Sequence, residues 1–299
     1  MSVTTQTPPP PSRLTGGARQ RRRKNVNRLM MGVSTLAALI ALAVLALVLV
    51  DIVIKAAPAL NLDFFTKNPV PFGQTGGGIA DSIVGSAILI GLASAMAIPI
   101  GILVAIFTNE FAPPRLSSPI RFALDILNGV PTIVTGIFVY GLLVIGHTQS
   151  GWAGAIALAI VELPIVARSA QEVLALVPRS LKEAGLALGL RRWRIVLRIV
   201  LPTAAGGLVT GAVLGVARVA GETAPLLLTS SIFSNLGITT NPGVALPNIP
   251  VTIFTLSESP SPQDHAQAWA AALVLVAFVL IVSLVARTFN ERSRRKIAD

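Results

Sequence analysis

The segment from 29 to 50 holds 22 residues and not one charged side chain. A helix of that length crosses the roughly 30 Å hydrocarbon core of a bilayer. It is too long for the core of a typical signal peptide, and no small-residue cleavage site precedes Asp51. Five more apolar runs follow, at 81–107, 122–145, 151–166, 201–220 and 266–286. In hydrocarbon, backbone polar groups must be satisfied inside the segment that crosses. The sequence therefore predicts an all-α, polytopic membrane protein with six transmembrane helices. Composition agrees, with 53% of the 299 residues hydrophobic and only 12% charged. A soluble domain so apolar would expose more hydrophobic surface than water tolerates. Three breakers lie inside the runs. Pro99 predicts a kink in the second, Gly129-Val-Pro-Thr132 interrupts the third, and Pro164 follows Glu162 in the fourth.

The formal charge of +11 could suggest nucleic acid, and the basic cluster ARQRRRKNVNR near the start could serve that purpose. The distribution of charge favours a membrane. With the N-terminus inside, 21 of the 24 lysines and arginines fall on the inner side. They occupy the tail to residue 28, Arg115 and Arg121, the stretch 168–198, and the end of the chain from Arg287. Only Lys55 and Lys67 fall outside, and Arg218 lies within a run. The positive-inside rule then predicts that both termini are cytoplasmic. The expected organisation is a disordered basic tail (1–28), a first span (29–50), an external loop (51–80) and a membrane domain (81–286). That domain contains an inner loop at 168–200 and an external loop at 221–265, and a basic tail (287–299) closes the chain. There is no cysteine, and His147 and His265 lie far apart in predicted loops, so no metal site is expected. Gly76-Gly77-Gly78 lacks the Lys-Ser/Thr ending of a phosphate-binding loop. No nucleotide hydrolysis by this chain is expected.

Two stretches carry chemistry. In the inner loop Leu181, Ala184 and Leu188 recur at helical spacing, with Arg191, Arg192, Arg194 and Arg198 close behind. Gly185 and Gly189 would thin such a helix and let another backbone approach. The helix could lie on anionic lipid or dock a protein, and the residues alone leave both open. In the fifth run Arg218 and Glu222 are four apart, so they share a helix face and can pair. Either the pair neutralises itself near the outer interface, or Arg218 faces a pathway where its fork of donors meets an oxyanion. Gly221 and Pro225 break the helix there, so irregular backbone could line that path. Glu162 stands mid-span, and the bland account is a neutral carboxyl bonded to carbonyls that Pro164 frees.

Beyond these physical readings, the spacing Glu183-Ala184-Gly185, Gly189, Ile199, Leu201-Pro202 resembles the EAA loop of ABC-importer permeases. It departs only at Gly185, where alanine is usual and where glycine should loosen the helix slightly. ARVAGETAPLLLTS, NGVPTIVTG at 128–136 and LPIVARSAQEVLALVPRSLKEAGLALG narrow the resemblance. Together they look like the A-type permease subunits of bacterial phosphate-specific importers, over about 200 residues. The resemblance implies a type I importer fold, a five-helix core with the first span wrapped outside it. It implies that Glu183, Ala184, Gly185 and Gly189 belong to a coupling helix seated on an ATPase, and that Arg218 with Glu222 contacts the anion in the path. It also implies a homologous permease as heterodimer partner, two cytoplasmic ATPase subunits that bind ATP and magnesium, and an external phosphate-binding protein. A phosphate-signalling regulator is a further partner it suggests, and the bacterial plasma membrane is the location. Glu162 does not fit that family's pattern. The rival readings are a permease for sulfate or molybdate, a proton-coupled secondary transporter, and a sensory scaffold.

Overall fold

A computed structural model describes residues 18–71, 74, 76–232 and 237–298. Most of the tail expected before residue 29 lies outside these. Its last part does not, and it is helical: α1 runs without a break from Ala18 to Ala56. The arginine cluster thus extends the first span instead of forming a disordered tail, since arginine and lysine are good helix formers. The described residues to Asp51 form one unit and those from Ile52 a second.

Every regular element described in the second unit is a helix. After α2 (Leu62–Thr66), α3 (Ala80–Ile106) stays helical through Pro99 and ends in a π-helical turn, Phe107–Phe111. The third span is not one helix. α4 (Pro114–Gly129) and α5 (Thr132–Leu143) meet at 99°, because Val130 and Pro131 adopt extended backbone between them. α6 (Gly151–Ala175) is longer than its apolar run and carries Pro164 in its interior. Then come α7 (Arg179–Ala187), a short α8 (Arg192–Ile195), a second π-helical turn (Val196–Val200) and α9 (Leu201–Ala220). Arg192, Arg194 and Arg198 therefore sit on the first turns of the fifth span, which is helical from Arg192 to Ala220, and the inner loop shrinks to 176–191. α10 (Ala224–Thr229), α11 (Ile249–Ser257) and α12 (Pro262–Ala298) complete the fold. Five helices are long and apolar enough to span a membrane, six if the bent α4–α5 pair counts as one. The chain is a multi-pass membrane protein.

The core is built on close helix approach. α3 buries Leu89, Ala93, Ala97, Gly101 and Ala105, one every four residues, against α6. On α9, Gly207, Gly211 and Gly215 make a second seam along α6. A Cβ on any of them would come within 2.5–2.8 Å of Val173, Ser169 or Val166. Without a hydrophobic drive between helices in lipid, small residues that let backbones meet supply the packing.

The segment expected as an external loop is largely packed. Leu246, Asn248 and Ile249 are buried, and Asn248 caps α11 by accepting from the N–H of Val251 while donating to the Ser230 carbonyl, both at 3.0 Å. Ser86 on α3 accepts from the Ile249 N–H at 2.8 Å, which pins α11 to the core.

Candidate functional site

Arg218 projects from the last turn of α9 into a cavity of about 260 Å³. The opposite wall is the break of the third span, with Asn128 and Val130 before it and Thr132 and Thr135 after it. Ile160, Val161 and Ile165 of α6 close the side, and Arg218 is the one charged residue in the lining. These α6 residues begin nine positions into a 25-residue helix, which places the cavity about 15–20 Å below the Gly151 end. Arg218 therefore lies well below the Gly151 end of α6. At about 30 Å³ per molecule of liquid water, the volume suits a hydrated ion.

α9 stops at Ala220, so Glu222 is not on the same helix face as Arg218, contrary to the simple four-residue spacing. It stands in the break between α9 and α10, and its Oε1 still reaches the Nε of Arg218 at 3.1 Å. The two sides of the pair are unequal: the glutamate side chain is 13% exposed, the arginine 59%. Glu222 holds the Nε edge of the guanidinium. Among the described residues no hydrogen bond engages the Nη groups, which leaves donors for an oxyanion. Glu222 is therefore paired with Arg218 in this structure, even though the helix that would have put them on one face ends between them.

The break that makes the opposite wall is fixed by packing. Gly136 on α5 lets Pro225 of α10 approach so closely that a Cβ would lie 2.7 Å from its Cα. The two segments most specific in the sequence, NGVPTIVTG and GETAP, thus meet in space, which no spacing rule shows. Thr132, Thr135 and Asn128 were missed as site residues. Their signal was the GVPT interruption, since irregular backbone at membrane depth is tolerated where it lines a cavity.

Glu162 is fully buried and does not line the cavity. Its partner is not a carbonyl freed by Pro164. The Ser94 hydroxyl on α3 donates to it, 3.0 Å from one carboxyl oxygen and 3.1 Å from the other. Across from it Gly215 leaves room for its side chain, since a Cβ there would lie 3.2 Å from the Glu162 Cγ.

At the α7 end the expected coupling residues separate into two roles. Glu183 and Ala184 are exposed on α7, beside Leu181 and Leu186, and are open to a partner. Gly185 is buried, and a Cβ there would come within 3.0 Å of Ile195 and Ile199, so it lets α7 seat on the start of the fifth span. Gly189 lies outside α7 at φ +73° with nothing near its Cβ position, so no backbone approaches it within the chain. Its N–H bonds the Leu186 carbonyl and that of Leu190 bonds the Gly185 carbonyl, a Schellman ending that turns the chain into α8.

That end is cross-braced. Lys182 on α7 pairs with Glu110 of the first π-helical turn at 2.6 Å. In the same turn Thr108 accepts from Gln171 at 2.9 Å, and Asn109 donates to the Gln171 carbonyl at 2.7 Å and accepts from Arg121. Arg168 on α6 joins Gln171 at 3.3 Å and Asp125 on α4 at 3.1 Å. A π-turn widens a helix by one residue and so re-aims its side chains. Here it turns three consecutive polar residues toward α4, α6 and α7.

Comparison with known proteins agrees with this architecture. Residues 97–295 match the family described as "Binding-protein-dependent transport system inner membrane component". The phosphate transport system permease protein PstA of Haemophilus influenzae is 38% identical over 275 residues, 91% of this chain and 96% of its own length. Its namesake from Yersinia pestis is 40% identical over 274 residues, 91% and 92% of the two chains. Among solved structures, a bacterial alginate ABC transporter in complex with its alginate-bound periplasmic protein superposes with a TM-score of 0.65. That match has 15% identity and covers 90% of this chain and 96% of the other. The MetNI methionine ABC transporter, in an inward-facing conformation, gives 0.57 at 16% identity over 72% and 95%. The fold is that of type I ABC importer permeases, and the chain belongs to the binding-protein-dependent transport system inner membrane components, among the PstA permeases.

Proposed function

We propose that this chain is the translocation subunit of an ATP-driven importer of inorganic phosphate, set in a bacterial plasma membrane with both termini cytoplasmic. The observation that carries the reading is Arg218, the one charged residue in the lining of a cavity, in a chain whose relatives are phosphate permeases along nearly their whole length. A guanidinium grips a tetrahedral oxyanion through paired donors, and at membrane depth few other groups can offset the charge of that anion. In this reading the exposed face of α7, with Glu183 and Ala184, docks a cytoplasmic ATPase that binds ATP and magnesium. Gly185 and Gly189 give α7 its seat and its ending. The chain itself is non-catalytic. Its partners are a homologous permease that supplies the other side of the path, two ATPase subunits, an external phosphate-binding protein, and a phosphate-signalling regulator. The packed segment around α10 and α11 faces outward and offers the binding protein a firm surface.

The test is to isolate the complex from membranes, identify its subunits, and measure uptake of radiolabelled phosphate, sulfate and molybdate in proteoliposomes. Phosphate uptake that needs ATP and the binding protein is expected. Uptake of sulfate or molybdate in its place would assign the same machine to another oxyanion. Uptake driven by a proton gradient without ATP would overturn the reading.

A further inference from the structure

The cavity has a second wall that sequence and family likeness leave without a role. Thr135 is nine-tenths buried on α5 yet lines the cavity, and its hydroxyl has no hydrogen-bond partner among the described residues. One turn before it, α5 begins at Thr132 after Pro131, with no side chain capping it. The N–H of Val134 returns to the Pro131 carbonyl at 2.9 Å, but those of Thr132 and Ile133 have no such partner among the described residues. A threonine hydroxyl in a helix commonly satisfies itself on a carbonyl one turn back, as Thr210 and Thr229 do here. Thr135 does not, and as a residue of the cavity lining its hydroxyl is left to whatever enters that cavity.

We propose that Thr135 and the amino-terminal turn of α5 form the second half of an anion site whose first half is Arg218, so that phosphate in transit is held between them. The inference rests on the phosphate reading above. Arg218 can only donate hydrogen bonds, and so can backbone N–H groups. Phosphate near neutral pH still carries a proton on at least one oxygen. A hydroxyl both donates and accepts, so Thr135 can take that proton's hydrogen bond where the arginine cannot. The positive end of the α5 dipole adds to the attraction for the anion. The bend between α4 and α5 is what aims this helix start into the span, and the Gly136–Pro225 contact holds it there. The site joins a charge that draws the anion in to a neutral, adjustable partner that grips weakly enough to release it.

The test uses the complete transporter in proteoliposomes, supplied with saturating phosphate-loaded binding protein, with phosphate uptake and ATP hydrolysis measured together. Thr135→Val keeps the shape and removes the hydroxyl, and is expected to slow uptake roughly tenfold, as loss of a hydrogen bond to a charged group would. Thr135→Ser restores the hydroxyl and is expected to return uptake to within about twofold of wild type. Subunit content and melting temperature are checked on the same preparations, and Thr135→Ala replaces the valine variant if that one does not assemble. Uptake at the wild-type rate without the hydroxyl, or serine as slow as valine, overturns the proposal. Arg218→Gln runs beside them as the reference. A wild-type complex that moves no phosphate defeats the reading of function. An active wild type, an inactive Arg218→Gln and an unaffected Thr135→Val defeat this inference alone.

Discussion

The two ends of the fifth span treat charge in opposite ways. Around α7 nearly every buried or half-buried polar group is matched within the chain: Lys182 by Glu110, Arg168 by Asp125 and Gln171, Asn109 by Arg121 and the Gln171 carbonyl. Around Arg218 the matching is left incomplete. Glu222 meets the guanidinium at Nε, the arginine lines a cavity, and a buried threonine in the same lining has no hydrogen-bond partner among the described residues. Saturated networks resist deformation, because moving one member strands the others. Unsaturated groups bind whatever can complete them. The contrast suits one end for carrying force and the other for carrying an anion, and it can be attacked from either side.

The largest effect is expected at the open end. Arg218→Gln removes the lone charge in the cavity, and phosphate uptake should fall by about 100-fold or more, with insertion and subunit assembly unchanged. A variant that still transports at even half the wild-type rate would mean that the cavity is not the path. At the braced end, Lys182→Glu sets two carboxylates against each other where the partners are 25% and 10% exposed. The cost is about 1–2 kcal/mol after allowance for solvent. Stimulation of ATP hydrolysis by the loaded binding protein should drop several-fold, and the exchanged pair Lys182→Glu with Glu110→Lys should recover most of it. No recovery would show that the contact is incidental.

Sequence and structure part company in an instructive pattern. The spans were legible because hydropathy is a property of each residue by itself, and so was the segregation of basic side chains. Arg218 stood out because an arginine inside an apolar run is costly unless it is paired or hydrated. The other wall of its cavity did not, since Thr135 and Thr132 look ordinary in sequence and acquire meaning only through a 99° bend and a glycine–proline contact 89 positions apart. Gly189 was seen but misread. A glycine at helical spacing suggests close approach, while only the backbone angle shows that it ends the helix. The π-turn at 107–111 had no signal either, because its residues are unexceptional and its partners lie on three other helices.

Two smaller predictions sharpen the contrast. Glu222→Gln should slow uptake by about threefold, far less than loss of Arg218, because the glutamate holds only the Nε edge of an arginine that is largely exposed. A loss equal to that of Arg218→Gln would instead make Glu222 a contact of the anion or a gate. Glu162→Gln should change uptake by no more than about twofold and stability by less than about 1 kcal/mol, since an amide of the same size still accepts from Ser94. Should that variant stop transport, the buried carboxyl must exchange a proton during the cycle, and the open end would be larger than the cavity described.

The glycine seam between α9 and α6 has a mechanical consequence. Interlocked side chains act as teeth, and one helix can pass another only by jumping a whole turn. Gly207, Gly211 and Gly215 remove the teeth from one side and leave a smooth rail about 12 Å long. Such a contact opposes separation strongly and travel along its length weakly. α9 joins that rail to a helix that begins at Arg192, immediately beyond the turn that ends at Gly189. A stroke of an ångström or two applied at α7 would then arrive at Arg218 as a stroke of similar size, enough to open or close a guanidinium's grip on an anion.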